Sequence, residues 1–223
     1  MKRGKKILIA VVALLLALAF IWTRVQAAEP EPEPVRVLAF GDSLTAGYGL
    51  DPEDAYPALL EAIARDKGFH LTVRNAGLSG ETTAGGLRRI GWVLRQPVDV
   101  LILALGANDA LRGQDPEATE NNLRTIIAEA REAHPDVTIL LAGMFAPPNL
   151  GSDYRRAFDG IFPRIAEDEE VRLVPFLLEG VAGDPSLNQA DGIHPTREGQ
   201  RIMARTVWAE LHRALEDSAP GAG

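Results

Sequence analysis

The 223-residue chain contains no cysteine, only four histidines and fewer basic than acidic residues. Without cysteine, disulfide scaffolds, Cys-ligated zinc, iron–sulfur clusters and thiol nucleophiles are excluded. The histidines form no HxxxH or HxH pair, so a dedicated histidine metal site is not expected. The formal net charge of −8 argues against nucleic acid as a partner. Hydrophobic residues make up 46% and charged residues 24%, as in a globular protein.

Residues 1–28 have the pattern of a secretory signal peptide. Four basic residues among the first six precede Ile7 to Trp22, a run of 16 residues without charge, and small residues follow at Ala27 and Ala28. An uncleaved anchor is the alternative, because the run is only slightly shorter than a span of ~20 residues. We expect an exported protein, periplasmic or secreted, that contacts the membrane only through residues 1–28 if they are retained. Removal of residues 1–27 leaves 18 basic against 31 acidic residues, a net charge of −13.

The rest of the chain divides into a Glu/Pro spacer at 29–34, one domain at 35–215 and a flexible tail at 216–223. Within the domain, apolar runs alternate with amphipathic segments of helix length. This alternation predicts a parallel sheet that helices cover on both faces. The predicted strands are 35–40, 71–75, 98–105, 137–142 and 171–175, and the predicted helices are 56–66, 82–95, 116–133, 152–168 and 196–214.

Small and polar residues follow the predicted strands, where ligands bind in such folds. Ser43 follows the first strand, Gly77 the second and Asn108 the third, while Asp191 and His194 share a loop before the last helix. Taken singly, Ser43 fits a helix cap, Gly77 a turn, Asn108 a cap and Asp191 an Asx turn. Together they match acyl transfer: a nucleophile, a base and an orienting carboxylate.

The same reasoning predicts where an oxyanion would bind. The backbone N–H groups of Ser43 and Gly77 and the side-chain amide of Asn108 are candidate donors. Each such donor typically contributes ~3 kcal/mol of transition-state stabilisation.

Four ordered blocks resemble the SGNH (GDSL-type) hydrolases. They are Phe40-Gly41-Asp42-Ser43-Leu44-Thr45, Gly77 within residues 75–83, Gly106-Ala107-Asn108-Asp109, and Asp191-Gly192-Ile193-His194-Pro195. The resemblance runs from about residue 35 to residue 212 and is strongest to the thioesterase I/lysophospholipase L1 and secreted arylesterase group. Residues 43–50, 56–60 and 111–113 are typical of that group.

The resemblance implies a three-layer α/β/α fold with a five-stranded parallel sheet of the flavodoxin-like type. It also implies a Ser43–His194–Asp191 triad that cleaves carboxylic esters and thioesters through an acyl-enzyme, without metal or organic cofactor. The implied substrates are small acyl esters and thioesters, including lysophospholipids.

An acyl pocket is expected from Leu78, Leu111, Phe145 and Pro147, which lie near strand ends. Ala110 departs from the group, which commonly has glycine there, and its methyl is expected to stiffen the next loop or narrow the acyl site. Two alternatives stay open: a carbohydrate O-acetylesterase of the cell envelope, which would use the same triad, and a non-catalytic lipid-binding envelope protein.

Overall fold

The structure, a computed structural model, describes residue 14 and residues 33–217. The signal-peptide prediction for residues 1–28 and residues 218–223 of the predicted tail therefore lie outside the described residues, apart from residue 14. No helix in the described part of the chain is long and apolar enough to cross a membrane.

Five parallel strands form one sheet: β1 Val35–Gly41, β2 Leu71–Gly77, β3 Val100–Ala104, β4 Thr138–Ala142 and β5 Arg172–Val174. Their order across the sheet is β2-β1-β3-β4-β5. The central strand β3 is buried at all five of its residues, as the near-continuous apolar run there predicted. Chain order reverses between β1 and β3, so this fold places its topological switch point there.

The α-helices in residues 33–217 are α1 Ser43–Ala46, α2 Tyr56–Asp66, α3 Thr83–Val93, α4 Ala107–Leu111, α5 Pro116–Ala133, α6 Ser152–Asp159, α7 Ile161–Asp168 and α8 Arg197–Asp217. The longer helices pack on the sheet in two groups. Helix α2 contacts α8, while α3 contacts α5, which in turn contacts α7. The predicted three-layer α/β/α class is confirmed.

Three local features differ from the sequence expectation. The helix predicted over 152–168 divides at Gly160, because Pro163 has no N–H to continue the hydrogen-bond series. The last helix runs through Asp217, so it takes in two residues of the predicted tail. The short helices α1 and α4 were not predicted, since four or five residues are too few to show a period.

The end of β1 brings backbone into close contact with its neighbours. In register, Gly41 pairs with Gly77 of β2 and Ala104 of β3. A methyl group on Gly41 would lie 2.1 Å from Thr45 Oγ1 and 2.7 Å from the Ala104 carbonyl oxygen. Glycine is therefore required here by packing.

We expect Gly41→Ala to lower the free energy of unfolding by about 2 kcal/mol, because the new methyl overpacks a backbone contact. Gly91→Ala is the matched control. A methyl there meets only Glu129 Oε2, at 3.7 Å, and alanine favours the helix. Urea unfolding of both variants measures the difference, and equal stability of the two would contradict the packing argument.

Candidate active site

The candidate nucleophile is the first residue of a helix that follows the sheet directly. Asp42 caps α1 by accepting a hydrogen bond from the Leu44 N–H at 3.0 Å, and Ser43 opens the helix. Asn108 is the second residue of α4, the helix that follows β3. The two residues thus stand on either side of the switch point, where open α/β sheets bind their ligands.

Ser43, His194 and Asp191 form a continuous hydrogen-bonded chain. His194 Nε2 lies 3.0 Å from Ser43 Oγ, and His194 Nδ1 lies 2.7 Å from Asp191 Oδ2. The other Asp191 oxygen, Oδ1, accepts hydrogen bonds from the backbone N–H groups of Ile193 and His194, each at 3.0 Å. The structure therefore brings together three residues that are up to 151 positions apart in sequence, in the order that a nucleophile, base and orienter require.

Hydrogen bonds hold Asp191 in its ionised form. The His194 side chain, followed by the two backbone N–H groups, lowers the pKa of this carboxyl to about 2. An ionised carboxylate at this position fixes the proton of the imidazole on Nδ1 and leaves Nε2 to accept from the serine hydroxyl.

A second carboxylate, Asp42, directly precedes Ser43 and is buried, whereas Asp191 is exposed. Asp42 is fully buried, and loss of solvation raises its pKa to about 6, although hydrogen bonds from Leu44 and Asn108 act in the other direction. Asn108 Nδ2 donates to Asp42 Oδ2 at 3.2 Å. Asp42 thus orients both the start of α1 and the amide of Asn108, a role that sequence reasoning missed.

The structure does not place Gly77 where the oxyanion prediction put it. Its N–H donates to Asn75 Oδ1 at 2.9 Å, and Gly77 is not among the residues that line the cavity above Ser43. A methyl on Gly77 would lie 2.2 Å from the backbone nitrogen of Ala46. The glycine is therefore needed for packing against α1. Gly80, with φ of +79°, lines the cavity instead.

Two arginines anchor the loop that carries Gly80. Arg89 forms an ion pair with the buried Glu81, donates to the Ala76 carbonyl at 3.0 Å and lies 4.3 Å above the Phe40 ring. Arg112 donates to the Gly80 carbonyl at 2.8 Å. This part of the cavity wall is thus held from both sides.

A cavity of about 490 Å³ opens beside the Ser43 hydroxyl. Of the four predicted pocket residues, Leu111, Phe145 and Pro147 line it, whereas Leu78 does not. Ala110 is buried in the hydrophobic core and does not reach the cavity, so its methyl does not narrow the acyl site. Sequence reasoning missed several lining residues from loops without a periodic pattern: Phe176, Leu178, Ile193, Ser79 and Asn188.

One aromatic contact forms part of this wall. The ring of Phe145, after β4, stacks on that of Phe176, after β5, with centroids 4.4 Å apart. Among the described residues, no group of three or more His, Cys, Asp or Glu side chains could hold a metal ion.

The fold and the site together define a class of α/β proteins that present a Ser–His–Asp arrangement at the carboxyl edge of a parallel sheet. Residues 39–202 match the GDSL-like Lipase/Acylhydrolase family. The chain belongs to this family, and the resemblance predicted from its motifs is confirmed.

Relatives whose names state an activity align with most of the chain. Esterase TesA of Pseudomonas aeruginosa is 39% identical over 180 residues, which are 80% of this chain and 89% of that protein. Thioesterase 1/protease 1/lysophospholipase L1 of Escherichia coli K12 is 40% identical over 176 residues, which are 78% and 82% of the two chains. The crystal structure of AlinE4, an SGNH-hydrolase family esterase, is 45% identical with a TM-score of 0.69 and covers 86% of this chain and 100% of its own.

The raised pKa of Asp42 gives an unusual pH dependence of stability. Between the ordinary value of 3.8 and about 6, the folded chain binds more protons than the unfolded chain. The contribution of Asp42 to the free energy of unfolding therefore decreases as the pH rises through this window, by about 1–3 kcal/mol.

Urea unfolding of the parent and of Asp42→Asn, at pH values from 4 to 8, isolates this contribution. We expect the stability of the parent relative to the variant to fall between pH 4 and pH 6 and then to level off. A relative stability that rises over this range would show that the carboxyl is not destabilised by burial.

Proposed function

We propose that this protein is a serine hydrolase that cleaves carboxylic esters and thioesters through an acyl-enzyme on Ser43. The observation that supports it most is the hydrogen-bonded chain from Asp191 through His194 to Ser43, which ends at an apolar cavity. The names of the relatives, esterase and thioesterase/lysophospholipase, agree with this chemistry. Binding a lipid without hydrolysing it does not require a hydrogen-bonded serine, histidine and aspartate, so the arrangement favours an enzyme.

In the first step, Ser43 Oγ attacks the acyl carbonyl carbon while His194 Nε2 accepts the proton of the Ser43 hydroxyl. The tetrahedral intermediate collapses, and the imidazolium gives that proton to the departing alcohol or thiol. In the second step, His194 activates water, which releases the acid and restores the serine hydroxyl. Asp191 keeps the imidazole oriented and stabilises its charged form throughout.

The developing oxyanion binds to the Ser43 N–H, the Asn108 amide and a third donor. We assign the third donor to Gly80, which lines the cavity, and not to Gly77, whose N–H is bonded to Asn75. Asn108 suits this role because its amide donates one hydrogen bond to Asp42, which fixes the orientation of the amide. Each donor of this kind typically contributes ~3 kcal/mol.

The walls of the cavity favour an apolar acyl group over an acetylated sugar. Residues 33–217 contain six exposed large hydrophobic side chains, and four of them line this cavity. Apolar side chains concentrated at one opening indicate a binding surface for an apolar ligand. The four are Tyr48, Leu111, Phe145 and Ile193.

For location, we propose that residues 1–28 direct export and are then removed. The basic start, the uncharged run and the small residues near Ala28 support this. Immunoblotting of cell fractions should show a shortened species in the periplasm or the medium. A membrane-bound species that retains its N-terminus would establish the anchor instead.

Hydrolysis of p-nitrophenyl esters, from acetate to palmitate, tests the proposed activity. We expect turnover with an optimum beyond acetate, and we expect Ser43→Ala to lose it by about 10⁴-fold or more while remaining folded. The parent should also react with an active-site phosphonate, whereas the variant should not.

A variant that keeps substantial activity would rule out Ser43 as the nucleophile. A preference for acetate, together with release of acetate from acetylated sugars, would favour the carbohydrate esterase. A folded parent that neither hydrolyses esters nor reacts with the phosphonate would favour the lipid-binding protein.

A further inference from the structure

The imidazole of His194 has an aromatic neighbour outside the Ser–His–Asp chain. The centroid of the Tyr48 ring lies 4.4 Å from that of the imidazole, with 33° between the planes. Tyr48 is 51% exposed, so burial of its own side chain does not hold it against the histidine. The constraint must come from the backbone that carries it.

Hydrogen bonds fix the Tyr48 backbone on both sides. Its N–H donates to the Ser43 carbonyl at 3.1 Å, and its carbonyl accepts from Gln189 Nε2 at 2.7 Å. Gly49, with φ of +77°, allows the amide to come this close, since a methyl there would lie 2.5 Å from Gln189 Oε1. Glycine at this position is thus part of the contact.

Gln189 also holds the segment that carries the histidine. The same Nε2 donates to the Pro195 carbonyl at 3.0 Å, and the Gln189 backbone N–H donates to the His194 carbonyl at 2.7 Å. Both side-chain partners are carbonyl oxygens, which only accept, so the nitrogen must be the atom that faces them. One half-buried amide therefore joins the turn after the nucleophile to the histidine loop.

We propose that Gln189 is a positioning residue that keeps the Tyr48 ring against the imidazole of His194. The ring limits rotation of the imidazole away from Ser43 Oγ, and its face attracts the positive charge that the imidazole gains when it takes the serine proton. The effect is greatest in the tetrahedral intermediate and the transition states that flank it, because there the imidazole carries the proton taken from the serine. The proposal deepens the serine-hydrolase function and rests on it.

Two variants break the contact from opposite sides: Gln189→Leu removes the amide, and Tyr48→Leu removes the ring. We expect each to lower kcat by about tenfold on the best p-nitrophenyl ester, since misplaced catalytic groups cost rate more than binding. Phosphonylation of Ser43 should slow in parallel. Tyr48→Phe keeps the ring, so its kcat should exceed that of Tyr48→Leu; KM is compared separately, because Tyr48 also lines the cavity.

The control is Arg201→Gln. Arg201 forms an exposed ion pair at 3.0 Å with Glu198 on α8, and neither residue lines the cavity. Loss of an exposed pair should leave kcat within about twofold of the parent. Gln189→Glu is similar in size but has no donor at neutral pH, so it should lower kcat as Gln189→Leu does. Agreement between the two variants shows that the loss comes from the missing donor and not from altered packing. Thermal unfolding shows that each variant is folded.

Two further measurements distinguish positioning of the imidazole from a general structural role. The first uses the double variant Gln189→Leu/Tyr48→Leu, and the second introduces each single change into His194→Ala. If Gln189 acts through Tyr48, the double variant loses no more than either single variant. If both act through the imidazole, neither change lowers the residual hydrolysis of His194→Ala further.

Unchanged kcat in the Gln189 variants, additive losses, or an equal loss without the imidazole would overturn the proposal. These results differ from failure of the proposed function, in which the parent itself is inactive or Ser43→Ala remains active.

Discussion

The site depends on one close approach of backbone to backbone, at the ends of β1, β2 and β3. Gly41, Gly77 and Ala104 lie side by side in register there. Methyl groups on either glycine would collide with α1, at Thr45 or Ala46. Because these positions are small, α1 sits directly on the edge of the sheet and brings the Ser43 hydroxyl within reach of a histidine from the far end of the chain.

The surroundings of two carboxylates near Ser43 shift their pKa values in opposite directions. Asp191 is exposed and accepts three hydrogen bonds, which stabilise the ion and lower its pKa. Asp42 is buried, and loss of water raises its pKa despite two donors. The first can therefore support a charged imidazole at neutral pH. The buried carboxylate of Asp42 is destabilised by loss of water, but it caps α1 and orients the amide of Asn108.

The sequence predicted the elements whose patterns are long and the residues whose chemistry is distinctive. Helix α2 begins and ends where the amphipathic pattern placed it, and Ser43, Asp191 and His194 meet as expected. Gly77 shows the limit of such reasoning. A glycine after a strand fits both a packing contact and an exposed N–H, and only the positions of Asn75 and α1 distinguish the two.

The contacts that join distant loops were beyond prediction for a related reason. Gln189 has no periodicity and no catalytic chemistry to mark it, and its importance lies in two carbonyls that folding brings beside it. The histidine lies in a loop, and its carboxylate partner is exposed to water, which screens the charge of the carboxylate. Support from Tyr48 and Gln189 therefore supplies rigidity that the Asp191 contact alone would not give.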